Sequence, residues 1–166
     1  HKWLTTLPDI QYVNLYGSSE LAGICCYYEI PDADHQPDIL PIGKPLPNCK
    51  VLLLRDGVFI NPKESIPSEG EDAGIGEICV IGDSLALEYF HDPEKTAKTF
   101  TALTLPDGTK VRALMTGDLA RYDAEGNLVF VSRKDFQIKH MGRRIELGEI
   151  ESVADTLPEI QRCCCL

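Results

Sequence analysis

Three short stretches combine residue types that do chemistry together. In Tyr16-Gly17-Ser18-Ser19-Glu20 a Gly-Ser loop leads into a carboxylate. Backbone N–H groups and hydroxyls of such a loop hold phosphate oxygens, and the glutamate can ligate a Mg²⁺ riding on those phosphates. Most pentapeptides of this composition are plain turns, so the stretch alone is a weak sign. Thr116-Gly117-Asp118 stands at the entrance to an alternating strand. There a carboxylate can accept hydrogen bonds from the two vicinal hydroxyls of a ribose. It can equally cap its own backbone, and in isolation that turn reading is favoured. Between 133 and 144, Arg133, Lys134, Lys139, Arg143 and Arg144 are opposed only by Asp135. A cationic cluster in an acidic chain points to an anionic partner, or else to a solvated basic loop. Phe136 is the only aromatic among these cations, which argues against a nucleic-acid surface.

The elements that must hold these residues are mostly strands. Residues 12–30 alternate apolar stretches around the Gly-Ser loop. Residues 31–48 carry five prolines (Pro31, Pro37, Pro41, Pro45 and Pro47) and read as an extended surface connection. Val51–Leu54 reads as a strand turned by Arg55-Asp56-Gly57 towards Val58-Phe59-Ile60, and residues 61–74 as a loop. Gly76–Gly82 reads as a strand with Ile78 and Val80 on one face. Asp92-Pro93-Glu94 starts a helix, with an N-cap acceptor, proline at the first position and acid in the first turn. Ala97 and Phe100 are expected to form its apolar side. Thr116–Tyr122 and Asn127–Val131 read as strands joined by the Glu125-Gly126 turn. From Glu146 onward Leu147, Ile150, Val153, Ala154 and Leu157 follow helical spacing, with Pro158 marking the end.

Composition limits what this assembly can be. In 166 residues, 16 Lys+Arg stand against 26 Asp+Glu, a net charge of −10, with 43% apolar and 25% charged residues. That is globular usage, not disorder. The acidic balance opposes a duplex nucleic acid as main partner, and no apolar run approaches the roughly 20 residues that span a bilayer. Seven cysteines show neither a C-x-x-C pair nor a zinc spacing, so they read as buried thiols of a reducing, cytoplasmic setting. A secreted disulfide scaffold is the weaker alternative. The chain opens at His1 without methionine and stops in the apolar run Cys163-Cys164-Cys165-Leu166, which reads as a piece of a longer protein.

Taken in order, the stretches resemble the adenylate-forming (AMP-binding) enzyme superfamily. The likeness is to its amino-acid-activating branch, which holds nonribosomal peptide synthetase adenylation domains and D-alanine–carrier-protein ligases. It rests on Asn14-Leu15-Tyr16-Gly17-Ser18-Ser19-Glu20, on Gly76-Glu77-Ile78-Cys79-Val80 with the run from Tyr89 to Phe100, and on Thr116-Gly117-Asp118-Leu119-Ala120-Arg121-Tyr122. It continues through Arg133-Lys134-Asp135-Phe136-Gln137-Ile138-Lys139 into Gly142-Arg143-Arg144-Ile145-Glu146-Leu147-Gly148-Glu149-Ile150-Glu151.

The resemblance implies an α+β, strand-rich fold. Residues 1–134 would end a large AMP-binding domain, with a distorted β-barrel over about 40–134. Residues 135–166 would open a small, mobile α+β C-terminal domain. It implies ATP and Mg²⁺ as cofactors. Asn14, Tyr16, Gly17, Ser18 and Ser19 would line the nucleotide, Tyr16 against the adenine and Ser19 at a phosphate-contacting position. Glu20 would bind magnesium and Asp118 the ribose. Arg133 would reach the ribose and phosphates, Asp135 would be the hinge, and Lys139 with Gly142-Arg143-Arg144 would present a new face after the swing. Arg133 and Lys139 carry the catalytic expectation. Leu15, Gly23 and Ile24 match positions lining an amino-acid pocket.

Some positions depart from the family pattern: Ser18 for Pro, Ser19 for Thr, Ser132 for Gly and Glu88 for Gly. The family's Gly/Ser/Thr-rich phosphate loop and its substrate-carboxylate aspartate would lie upstream of His1, and its catalytic lysine downstream of Leu166. The expected function is therefore that of a fragment, inactive by itself, of an ATP-dependent ligase. The parent would activate an amino acid as its adenylate and pass it to a phosphopantetheinyl carrier thiol. An acyl- or aryl-CoA ligase and a degenerate nucleotide-binding module are the alternatives. Neither nucleic acid nor membrane is an expected partner.

Overall fold

The computed structural model describes the chain apart from residues 1–5, 8, 32–36, 38, 63–73, 136, 141–142, 158–159, 161–162, 164 and 166. For 137–140, 143–144, 146, 148–149 and 152 only the backbone is described. The chain divides into two units, 1–132 and 133–166.

In the first unit, β1 (Tyr12–Ser18) and β2 (Gly23–Ile30) form an antiparallel hairpin. They are joined by a single 3₁₀ turn, Ser19–Leu21, which ends at Ala22 in the left-handed region, φ 55°. The register places Tyr16 opposite Cys26 and Gly17 opposite Ile24, so Cys25 is an extra residue in β2. This β-bulge turns two consecutive side chains inward, and Cys25 and Cys26 are both buried. Gly17 faces the bulge because nothing larger fits: a Cβ there would lie 1.8 Å from the Gly23 carbonyl oxygen. The proline-rich connection returns as the two-residue β3 (Lys44–Pro45), paired with β2.

The second sheet is built by β4 (Cys49–Arg55), β5 (Val58–Ile60), β6 (Gly76–Gly82), β7 (Phe100–Thr104), β8 (Lys110–Tyr122) and β9 (Leu128–Arg133). Its order is β5-β4-β6-β8-β7, and β9 also pairs with β8. The long β8 thus carries three neighbours, and the sheet curls into a half-barrel. The β4–β5 turn uses Asp56 and Gly57, both with positive φ, which suits a two-residue hairpin. Bonds between Ile42 N and Leu128 O (2.8 Å) and between Leu128 N and Gly43 O (2.9 Å) tie the first sheet to the second. The core includes Leu21, Leu53, Ile78, Val80, Leu114 and Leu128, each stabilising by about 1.5–3 kcal/mol on full burial.

Cys79 is buried as completely as Ile78 and Val80, as expected of a buried thiol. Two expectations need correction. The helix α1 (Pro93–Thr99) starts as expected, its N-cap Asp92 accepting from Lys95 N at 2.9 Å, but it has no buried residue. Phe100 is instead the first residue of β7, buried under the Arg112 guanidinium, 4.3 Å from its ring centroid. The strand expected from Thr116 begins six residues earlier, at Lys110, because a hairpin turn at Leu105–Thr109 pairs this half of β8 with β7.

The second unit contains the hairpin β10 (Gln137–His140) and β11 (Arg143–Glu146), with Lys139 in register with Arg144, and helix α2 (Leu147–Ala154). Ile150, Val153 and Leu157, the apolar stripe read from the spacing, are exposed. No helix among the described residues is long and apolar enough to cross a membrane.

Candidate functional site

Asp118 owes its place to a deformation of β8. Glu77 pairs with Leu119 and Cys79 with Met115, so Thr116, Gly117 and Asp118 stand opposite Ile78 alone. Gly117 takes φ 74°, a conformation that side chains other than glycine's resist. The displaced backbone is held by named partners. Gly117 N donates to Glu77 Oε1 at 3.0 Å, Asp118 N donates to Thr116 Oγ1 at 3.1 Å, and that hydroxyl donates to Ile78 O at 2.9 Å. Thr116 therefore caps the backbone, as a turn residue does, and the Asp118 carboxylate is turned to another task.

That carboxylate is buried, and Tyr16 Oη donates to its Oδ2 at 2.5 Å. Charge-assisted hydrogen bonds of this kind offset the cost of taking a carboxylate out of water. Burial, then the Asp118 charge beside it, push the Tyr16 phenol far above its ordinary range, so Tyr16 remains a donor at every physiological pH. The same burial logic, aided by Glu77, pushes the Cys79 thiol up to about 12. Cys25 and Cys26 interact directly: Cys25 is held down and Cys26 pushed up.

Glu20 is the second buried carboxylate, and it repeats the pattern. Tyr89 Oη donates to Glu20 Oε1 at 2.6 Å, and Ala86 N donates to the Glu20 carbonyl at 2.8 Å. Ser18, between Tyr16 and Glu20, has a buried hydroxyl oxygen without a hydrogen-bond partner among the described residues. The five-residue segment thus carries one of the two acids and the hydroxyl, and binds the second acid through Tyr16. Donors and acceptors of this kind suit polyoxygen ligands such as phosphates and sugar hydroxyls. No group of three or more His, Cys, Asp or Glu able to hold a metal occurs among the described residues.

The other expected site residues fall in different places. Asn14 Nδ2 donates to Pro41 O at 2.7 Å, pinning the proline-rich connection to β1. Ser19 is exposed, and Gly17 sits against β2. Leu15, Gly23 and Ile24 are exposed on the β1–β2 hairpin, Leu15 by 53% and Ile24 by 45%. Arg133 and Asp135 belong to the second unit, where the guanidinium makes two bonds to the carboxylate, Nε to Oδ1 at 2.6 Å and Nη2 to Oδ2 at 2.8 Å. Lys139, Arg143 and Arg144 are placed by backbone only, and Gly142 lies outside the described residues.

Two residues important to this arrangement, Tyr89 and Glu77, carry no local signal of it. Their partners lie 69 and 40 residues away. Only pairing of distant segments reveals them.

A family model described as "AMP-binding enzyme" matches residues 1–90. Surfactin synthase subunit 1 of Bacillus subtilis (strain 168) is 35% identical over 161 residues, 96% of this chain and 4% of that protein. Tyrocidine synthase 1 of Brevibacillus parabrevis is 35% identical over 153 residues, 92% of this chain and 13% of that protein. The chain thus spans a small part of the relatives it matches. The solved structure of PA1221, an NRPS protein containing adenylation and PCP domains, superposes with a TM-score of 0.82 at 35% identity. It covers 98% of this chain, which spans 31% of that structure. The chain belongs to the AMP-binding enzymes, and among them it is similar to adenylation-domain proteins of nonribosomal peptide synthesis.

Proposed function

We propose that this chain forms part of the nucleotide site of an ATP-dependent ligase that activates an amino acid and transfers it to a carrier-protein thiol. The observation that carries the reading is the pair of buried carboxylates, Asp118 and Glu20, each oriented by a tyrosine hydroxyl around the Tyr16–Glu20 segment. Asp118 accepts from the ribose hydroxyls, the Tyr16 ring lies against the base, and Ser18, Ser19 and the loop N–H groups receive phosphate oxygens. A substrate carboxylate attacks the α-phosphorus of ATP, pyrophosphate leaves, and the mixed anhydride with AMP is formed. A carrier thiol then displaces AMP, giving the thioester and releasing a proton. The carrier partner is supported by the neighbours that contain adenylation and PCP domains.

The residues present fit a magnesium ion. The buried Glu20 carboxylate and the buried Ser18 hydroxyl are hard oxygen donors, and Mg²⁺ uses few protein ligands when phosphates and water supply the rest. Glu20 would hold it. When bound, the ion neutralises charge on the phosphates as pyrophosphate departs.

One site serving two reactions calls for a moving domain. We assign the hinge to Asp135, with 1–134 ending the large domain and 135–166 opening the mobile one. The division of the chain between Ser132 and Arg133 supports this. Lys139 and the Arg143-Arg144 strand move with this unit.

The test is exchange of labelled pyrophosphate into ATP by the full-length protein that contains this chain. Exchange is expected with one amino acid from a panel that includes fatty and aryl acids. Asp118→Ala and Glu20→Ala are each expected to lower it at least about 100-fold, on the scale of losing a preorganised electrostatic contact. Exchange left intact by both substitutions contradicts the assignment.

A further inference from the structure

We infer that Tyr89 is a positioning residue that sets the magnesium requirement of the site by fixing the orientation of the Glu20 carboxylate. The inference rests on the reading of Glu20 as the magnesium ligand. Tyr89 is itself anchored from several directions. Its N–H donates to Thr96 Oγ1 at 2.9 Å, and that hydroxyl donates to Asp92 O at 2.7 Å at the start of α1. The Lys95 ammonium sits 4.8 Å from the centroid of its ring, and the Phe100 ring lies 6.0 Å away. A cation over the ring draws electron density from the phenol and strengthens its O–H as a donor. The loop between β6 and α1 thus holds Glu20 at two points, the carbonyl through Ala86 N and the carboxylate through Tyr89 Oη.

With Oε1 held by the phenol, fewer orientations of the carboxylate, and so of Oε2, remain open. Mg²⁺ demands near-octahedral geometry, so a carboxylate that is already oriented loses little freedom when it binds. Without the phenol, Glu20 must be ordered by the metal itself. Removing an outer partner of a metal ligand commonly costs 10–100-fold in metal affinity or activity. Manganese, with the same charge and a larger radius, is expected to show the smaller loss.

The experiment compares wild type, Tyr89→Phe and Glu20→Gln in the full-length protein. It uses two readouts: the magnesium concentration giving half-maximal pyrophosphate exchange, and calorimetric ATP affinity with magnesium and with EDTA. Tyr89→Phe keeps the ring and its packing and removes one oxygen. It is expected to raise the magnesium requirement about tenfold and to weaken ATP binding similarly with magnesium, but not with EDTA. A requirement within twofold of wild type overturns the inference, as does an equal loss in EDTA, which marks a purely structural role. Glu20→Gln separates the two levels. If it too leaves the requirement unchanged, Glu20 is not the magnesium ligand; if it alone shifts it, only the role of Tyr89 fails.

Discussion

Tyr16 on β1 and Asp118 on β8, 102 residues apart in the chain, are joined by a hydrogen bond of 2.5 Å from the phenol to the carboxylate. It links the two sheets of the first unit at a buried charge. Tyr16→Phe removes a donor to that carboxylate, and a hydrogen bond to a charged group is worth about 1.5–3 kcal/mol. Urea denaturation should show a loss of that size. A loss below about 0.5 kcal/mol would mean that the carboxylate is satisfied without the phenol.

Gly17 is expected to tolerate no side chain. The three nearest atoms to an added Cβ are all backbone, with Gly23 O at 1.8 Å and Gly23 C and Ile24 Cα at 2.7 Å, so β1 and β2 would have to separate. Gly17→Ala should cost about 3 kcal/mol or more, at the severe end of overpacking. Thermal denaturation measures it, and a melting point within a degree or two of wild type would refute the close approach.

Glu77 should matter to nucleotide binding without touching nucleotide. Its carboxylate holds Gly117 N–H in the β8 bulge, one residue from Asp118. Glu77→Ala should weaken AMP binding about three- to tenfold, the equivalent of one modest hydrogen bond. Glu77→Gln keeps an acceptor and should restore most of it. Equal affinity for all three proteins, measured by calorimetry, would show that the bulge holds itself.

Much of the scaffold could be read from local chemistry. The bounds Gly76–Gly82, the Asp92 cap and the Asp56-Gly57 turn are each encoded within a few residues, by glycines, a capping carboxylate and positive φ. The β7–β8 hairpin was not legible, because Phe100 follows α1 without a loop and continues an apparent helical stripe. What moves Phe100 into a strand is tertiary: its pairing with Leu114 and the Arg112 stack. In the site, residue types pointed to Glu20 and Asp118, but their tyrosine partners are fixed by contacts between distant segments. Asn14 shows the converse, since its side-chain amide serves the Pro41 carbonyl.

Alkaline pH should destabilise the fold from about pH 9 upward. The thiols of Cys79 and Cys49, with an ordinary value of 9.0, and the phenols of Tyr16 and Tyr122, with an ordinary value of 10.0, are all raised in the fold, by burial first of all. Cys25 and Cys26 shift in opposite directions, so their contributions oppose each other. Above those ordinary values the unfolded chain has released protons that the folded chain keeps, so stability falls with pH. Above pH 9 the Cys79 contribution falls as pH rises, by at most about 1.4 kcal/mol per pH unit. Urea denaturation at pH 8 and pH 10.5 should show the decline, and Cys79→Ala should make it shallower. A flat profile over that range would contradict the burial of these groups.

The most direct measurement is a crystal structure of the full-length protein with AMP bound. The expected result has both ribose hydroxyls within about 2.5–3.2 Å of the Asp118 carboxylate, the adenine against Tyr16, and the phosphate over Ser18 and Ser19 on the side of Glu20. AMP bound away from Asp118, with the Tyr16–Asp118 bond undisturbed and no ribose contact, would contradict the account.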